Sequence, residues 1–384
     1  MGIIEAGIAI VHGKFIEGFR APFREDAYYD VVIVPGFSDG HAHPQVIDGG
    51  LRLGVKWRNS YEWIQERDLV VDEVMIRRDL SIASKLSYLT FVRALLEGTT
   101  LLALTGRLAA NVRAWLRLSI RPRIVLLPTV MDRVGWTLEE VLSDYGRVSM
   151  LVGDGFARIG VFIHSLRMAG VYTIREALSL ASRGDGIVGL HLGEGLSELE
   201  DFKSIIGRPP YPVKIVPVHC IDDDLRDVGL QCVSCPTTNI ILYGRTRRSL
   251  AGIASFGSDW PLLLGTTPRH LRLIRGVFKE PPEVIVRIAT VGGYKLYEMP
   301  YDGDLVAFDG NIEDVMNGNA SPKLVVVNNQ VAVYEGALVE SQLTIEDVER
   351  VIREAIREVS EKYGEGVEPL MPPKPGEIEF RIEE

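Results

Sequence analysis

The chain has 384 residues, 46% of them hydrophobic, with seven histidines, three cysteines and a formal net charge of −10. That length exceeds one small domain and suits a large α/β barrel with an appendage. The acidic balance argues against a nucleic-acid surface, which needs clustered Lys and Arg, and no apolar run reaches the ~18 residues of a membrane helix. The opening MGIIEAGIAIVHGK has neither the basic start nor the small-residue cleavage site of a signal peptide, so the expected compartment is the cytoplasm.

In chain order, GIAIVHGKFIEGF alternates with period two, as a flanking strand would, and His12 within it reads as structural. Next comes VVIVPGFSDGHAH (31–43), an apolar run, a Pro-Gly turn and two histidines separated by one residue. In an extended segment residues two apart share a face, so His41 and His43 can grip one ion. Taken alone, the pair reads more readily as polar residues in the turn after a buried strand.

The middle alternates short β-branched runs with longer amphipathic stretches: TTLLALT (99–105), RIVLLPTV (123–130), RIGVFIH (158–164), GIVGLHL (186–192), VKIVPVH (213–219), QCVSC (231–235) and IASFGSD (253–259). With the strand that ends at HAH these make eight, which predicts a (β/α)8 barrel. DGDLVAFDG and KLVVVNNQVAVYEG again alternate with period two, so a small sheet or β-sandwich built from both termini is expected. The resulting plan assigns 1–35 and 300–340 to the small β domain and 36–299 to the barrel, leaving 341–384 as a C-terminal helix and extended tail. In LTIEDVERVIREAIREVSEKYG a Thr followed three residues later by Asp precedes apolar residues at helical spacing, the pattern of a capped amphipathic helix. The tail VEPLMPPKPGEIEFRIEE is proline-rich and should run extended over the surface. Few glutamines and many Ile, Val, Arg and Glu fit a heat-adapted protein.

Cys220, Cys232 and Cys235 are odd in number and confined to one region, no basis for a secreted disulfide framework. The Cys232/Cys235 CxxC has no second ligand pair for a structural zinc. Gln231 also precedes it, where a cytidine-deaminase-type site needs Pro. Both cysteines read as strand residues, close enough in sequence to oxidise. Arg245, Arg247 and Arg248 read as a solvated turn, although an anionic substrate group also suits them.

Barrel enzymes build their sites at the C-terminal ends of the strands. His164 ends RIGVFIH, His191 lies near the end of GIVGLHL, His219 ends VKIVPVH and Asp259 ends IASFGSD. With His41 and His43, five of the seven histidines and one carboxylate then converge on one mouth, which points to a metal site. His270 falls in a helix and reads as structural.

At this point the chain resembles the amidohydrolase superfamily, in its mononuclear, cytosine-deaminase-like branch of aminohydrolases and chlorohydrolases. PGFSDGHAH resembles the first-strand motif of that family, SYEWIQERD its tryptophan-containing helix start, LLEGTT its second strand and HLGEGLSE its HxxE. VHC and SCPTTN resemble its sixth and seventh strands, and FGSDWP its terminal Asp. The pieces occur in order from about residue 31 to residue 310. Departures are the missing Asp after LLALTG and the Pro44-Gln45 pair after HAH. RIVLLPTV and RIGVFIH contain no lysine, so the carboxylated-lysine bridge of the two-metal branch has no donor and one ion is expected.

The resemblance implies that His41, His43, His191 and Asp259 hold one divalent ion, zinc first and iron as the alternative, and that Asp259 also takes a proton from the attacking water. It implies that Glu194 protonates a ring nitrogen, with a helix-start carboxylate as the plain alternative. His219 would bond the incoming oxygen and His164 would touch substrate. Asn239 reads as a residue that fixes its loop through side-chain to backbone bonds. The expected activity is hydrolytic deamination of an amino-substituted N-heterocycle of purine, pyrimidine, pterin or nucleoside type. The alternative is hydrolysis of a cyclic amide or chloro-heterocycle, and a non-catalytic scaffold relative is weighed below both. The expected partner is a small molecule, with no nucleic acid and no membrane, and the sequence is compatible with a homo-oligomer.

Overall fold

The β-branched runs of the sequence become short parallel strands separated by helices. The computed structural model describes residues 2–11, 14–23, 27–148 and 155–379; His12 and the last five residues lie outside that set. A four-stranded sheet begins with Phe37–Ala42 and Thr99–Leu104, followed by Arg123–Leu126 and Ala157–Ile159. A six-stranded sheet runs from Thr129–Val130 through Val161–Ile163, Ile187–Leu192, Lys214–His219 and Cys232–Ser234 to Ile253–Phe256. Every strand pair in both sheets is parallel.

Two of the eight expected strands are interrupted, RIVLLPTV at Leu127-Pro128 and RIGVFIH at Gly160. Pro128 has no N–H to give a ladder, and a side chain at Gly160 would strike the Ile187 carbonyl at 2.2 Å. The halves of each interrupted run pair in different sheets. An isolated parallel bridge, Ala42 to Asp259, joins the first and last segments. The fold is therefore mixed α/β with parallel sheets.

The two β-rich sequence ends come together among the described residues. They merge edge to edge into one seven-stranded sheet, because Ala27–Pro35 pairs antiparallel with Leu305–Asp309 on one side and parallel with Gly2–Val11 on the other. VVIVPGFSDGHA is accordingly two strands. The chain leaves this sheet at Pro35 and enters the parallel one at Phe37.

The helix Leu80–Leu96 packs against the C-terminal helix Ile345–Tyr363, whose Thr344 and Asp347 form a reciprocal capping box. Val348, Ile352, Ala355, Ile356 and Val359 form its buried face. Pro369, Pro372 and Pro375 of the tail are buried, so that segment is docked on the surface as well as extended.

Candidate metal centre

Parallel strands carry their C-terminal ends to one side, and the polar residues noted above sit there. His41 lies on Phe37–Ala42 with His43 immediately after it. His191 and His219 lie on the third and fourth strands of the six-stranded sheet, counted from Thr129–Val130, while His164 follows Val161–Ile163 and Asp259 lies three residues beyond Phe256. His219 (φ 72°), Cys220 (φ 48°) and Asp259 (φ 66°) adopt left-handed backbone, which costs a non-glycine residue on the order of 1–3 kcal/mol and clusters at functional sites. Gly257 is required by close approach: a Cβ there would sit 2.8 Å from the His41 carbonyl and 3.0 Å from Cys235 Sγ.

Four of the side chains meet. His41 Nε2 is 3.0 Å from His43 Nε2, 3.2 Å from His191 Nε2 and 3.5 Å from Asp259 Oδ1, and His43 Nε2 is 3.3 Å from the same carboxylate oxygen. Burial drives His43 down to about 3 and also lowers His41 and His191, so all three imidazoles are neutral near pH 7. A neutral ring has one N–H to give and one lone pair, so the cluster gathers more lone pairs than it has protons to share. A cation resolves that crowding, and imidazole with carboxylate is a donor set suited to zinc or iron. Burial would raise Asp259, but the bond to His41 and the neighbouring imidazoles hold its carboxyl well below the usual range. Two overlapping clusters, His41/His191/His219 and His41/His43/Asp259, each bring three possible ligand atoms within 4.8 Å of one another. Thr105 Oγ1 lies 2.9 Å from His43 Nδ1 and fixes that ring, while the buried His191 Nδ1 has no hydrogen-bond partner among the described residues.

Glu194 is buried beside this cluster and does not start a helix; the following helix is Leu199–Ile205, entered through Glu198. Its Oε1 accepts the Tyr243 hydroxyl at 2.6 Å and lies 3.7 Å from His219 Nε2. Burial raises its carboxyl, against the lowering effects of His219 and the Tyr243 bond. The Asn239 side chain holds His219, accepting from Nδ1 at 2.8 Å while its amide donates to Thr246 Oγ1 at 3.1 Å. Its partners are thus two side chains, not the loop backbone expected from CPTTN. Tyr243 was not singled out in the sequence, yet it lies four residues after Asn239 in the helix Pro236–Tyr243, and that spacing puts both on one face. Asp39 was also missed. Burial raises it to about 7, and its Oδ1 accepts the Ser258 N–H that leads into Asp259.

His164 borders the cluster, its ring centroid 5.1 Å from that of His191. Burial, then the charges of Arg67 and Arg133, lower it to about 4. It opens onto a cleft of about 1120 Å³, counting the open mouth, which also contains His43, His191, Glu194, His219 and Asp259.

Arg245 is tied to Asp222 at 2.5 Å and Arg247 to the Asp223 and Ala251 carbonyls, so the solvated-turn reading describes them better than a substrate contact. His270 is buried between Thr237 and the Gly265 carbonyl, as a structural residue. The oxidised pair is not Cys232/Cys235: Cys220 and Cys232 form a disulfide and Cys235 is a buried free thiol. Adjacent parallel strands bring residue 220 next to 232, which CxxC spacing cannot reveal. No helix among the described residues is long and apolar enough to cross a membrane.

A parallel α/β scaffold with histidines and an aspartate at the strand ends has counterparts of known structure. No protein-family profile matches the chain, and no curated protein matches it by sequence. A zinc-bound adenosine deaminase from Xanthomonas campestris is 15% identical with TM-score 0.73, over 93% of this chain and 98% of the other. The atrazine chlorohydrolase TrzN from Arthrobacter aurescens TC1, in complex with zinc, is 14% identical with TM-score 0.71, over 92% and 100%. The E. coli guanine deaminase is 17% identical with TM-score 0.68, over 87% and 100%. At such identities the likeness is one of fold.

Proposed function

We propose that this chain is a metal-dependent hydrolase that deaminates an amino-substituted N-heterocycle, replacing a ring-bound amine by oxygen and releasing ammonia. The observation that carries this reading is Glu194, buried with a raised carboxyl, anchored by Tyr243 and set beside the His/Asp cluster. A carboxyl that holds its proton more tightly than an exposed one can give it to a ring nitrogen, which amidine hydrolysis needs and an easily cleaved amide needs less. The fold likeness to the adenosine and guanine deaminases supports the same reaction class.

In this reading His41, His43, His191 and Asp259 hold one divalent ion, zinc first. Such an ion supplies Lewis-acid activation of water near neutral pH. Asp259 takes the first proton from the water as its oxygen adds to the amine-bearing carbon. Glu194 gives its proton to the ring nitrogen, and proton return through the same carboxylates frees ammonia as the carbonyl forms. Held through Nδ1 by Asn239, His219 presents Nε2 to the adding oxygen. His164 lines the cleft as a substrate contact. The eight strand segments close into a (β/α)8 barrel in this proposal, supported by the bridge between Ala42 and Asp259, with the seven-stranded sheet as its small β domain.

A second reading, hydrolysis of a chloro-heterocycle on the same centre, has the likeness to the atrazine chlorohydrolase in its favour. A screen of heterocyclic amines and chlorides with zinc-loaded protein separates the two, ammonia appearing in the first case and chloride in the second. Loss of neither group from any compound would remove both.

A further inference from the structure

The cleft that holds His164 also has an arginine-lined wall. Arg67, Arg77 and Arg133 line it together with Trp136. Arg67 is neutralised by a two-point pair with Glu73, at 3.1 and 2.6 Å. Arg77 and Arg133 are not: among the described residues neither has a carboxylate within ion-pair distance. Arg77 is 8% exposed and spends its contacts on two carbonyls, those of Gly135 and, at 3.5 Å, Thr129. The acids nearest in effect to Arg77, Glu140 and Asp144, are committed elsewhere: Glu140 to Gly135 N, Thr137 and Arg78, and Asp144 to Arg107. Asp132, beside Arg133, accepts from Gly170 and Thr173. Both guanidinium carbons lie 5.2 Å from the Trp136 ring centroid.

A buried guanidinium without a counterion is costly, and its five N–H groups match carboxylate or phosphate oxygens in pairs. Arg77, buried, and Arg133, exposed, both line the cleft beside the Trp136 indole, and neither has a carboxylate partner there among the described residues, so this wall is suited to an anionic group. The carboxylates of the cleft do not compete for it. Asp48 accepts the Gly50 and Val70 N–H groups, Glu73 holds Arg67, and Glu194 and Asp259 belong to the catalytic end. We propose that the substrate is an N-heterocyclic amine carrying a carboxylate or phosphate substituent, which Arg77 and Arg133 receive beside Trp136 while the ring reaches the metal centre. This inference rests on the deaminase reading for the identity of the ring but not for the charge of its substituent.

The test compares adenosine, adenosine 5′-carboxylate and adenosine 5′-phosphate on zinc-loaded full-length protein, by ammonia release and by calorimetric binding. Charge-assisted pairing predicts that the anionic compounds are favoured over adenosine by about tenfold or more in Kd and kcat/KM, less so at high salt. Arg133→Gln, at an exposed position that leaves folding intact, should reduce that ratio by about tenfold, mainly through KM; Arg77→Met should do the same where it folds. The carboxylate and phosphate arms show which anion the site prefers. Equal binding of charged and uncharged compounds, or an unchanged ratio in Arg133→Gln, overturns the proposal. Because binding is read separately, a protein that favours the anions but releases no ammonia counts against the deaminase reading alone.

Discussion

Replacing Glu194 by Gln removes one proton while keeping the shape of the site. The amide oxygen can still accept the Tyr243 hydroxyl, now 2.6 Å from Oε1, and a neutral amide is no worse to bury than a carboxyl whose ionised form burial already disfavours. Thermal stability should therefore change by less than about 1 kcal/mol. Turnover should fall by about 10²- to 10⁴-fold, the usual contribution of general acid–base catalysis, or about 3–5 kcal/mol of barrier. The loss should appear in kcat, with KM and metal content little changed. The pH profile supplies a second readout. Because the acid form of Glu194 is the working one, wild-type kcat should decline as pH rises through its raised pKa, and the Gln variant should lack that limb. Tyr243→Phe deletes a bond that lowers the Glu194 pKa, so the limb should move to higher pH, with kcat down by about tenfold. Ammonia release and thermal unfolding measured on the same preparations decide the matter. If Glu194→Gln melts earlier while turnover per folded molecule is unchanged, the residue is structural and the acid–base assignment fails.

Elemental analysis should find about one divalent ion per chain, chelation should abolish turnover reversibly, and two tightly held ions in active protein would refute the mononuclear assignment. His270 is lowered to about 4 by burial, below its unfolded value of about 6.5. Its contribution to stability is thus complete above pH 6.5 and lost as pH falls toward 4, with a slope of about 1.4 kcal/mol per pH unit. Urea unfolding of His270→Gln should show a slope shallower by that amount, and parallel curves would contradict this. The Cys220–Cys232 disulfide closes a 12-residue separation, so thiol reduction or Cys232→Ser should cost about 3 kcal/mol; three titratable thiols in unreduced, denatured protein would show that the bond does not form.

The HAH motif, HxxE and FGSD could be read because each places its chemistry within a few residues of one strand end, and strand ends are what period-two runs and Gly turns reveal. His41, His43, His191 and Asp259 meet in the fold at those positions. What escaped notice depends on which elements become neighbours. Cys220 bonds Cys232 because their strands are adjacent, and Asn239 and Tyr243 reach His219 and Glu194 from a helix on the next segment. Arg77 and Arg133 lie 56 residues apart in sequence and share one indole only after folding.

The sequence by itself determined the alternation of strand and helix, the two β-rich ends and the capped C-terminal helix, since these follow from local periodicity and capping chemistry. It did not decide that the two ends join as one sheet, because strand pairing is set by partners some 270 residues away, as between Ala27–Pro35 and Leu305–Asp309. The protonation states belong wholly to the tertiary structure. His43 and His270 are the same residue type with the same intrinsic pKa, and only what packs around each decides that one faces the His41 imidazole and the Asp259 carboxylate while the other is closed in by Thr237 and Gly265.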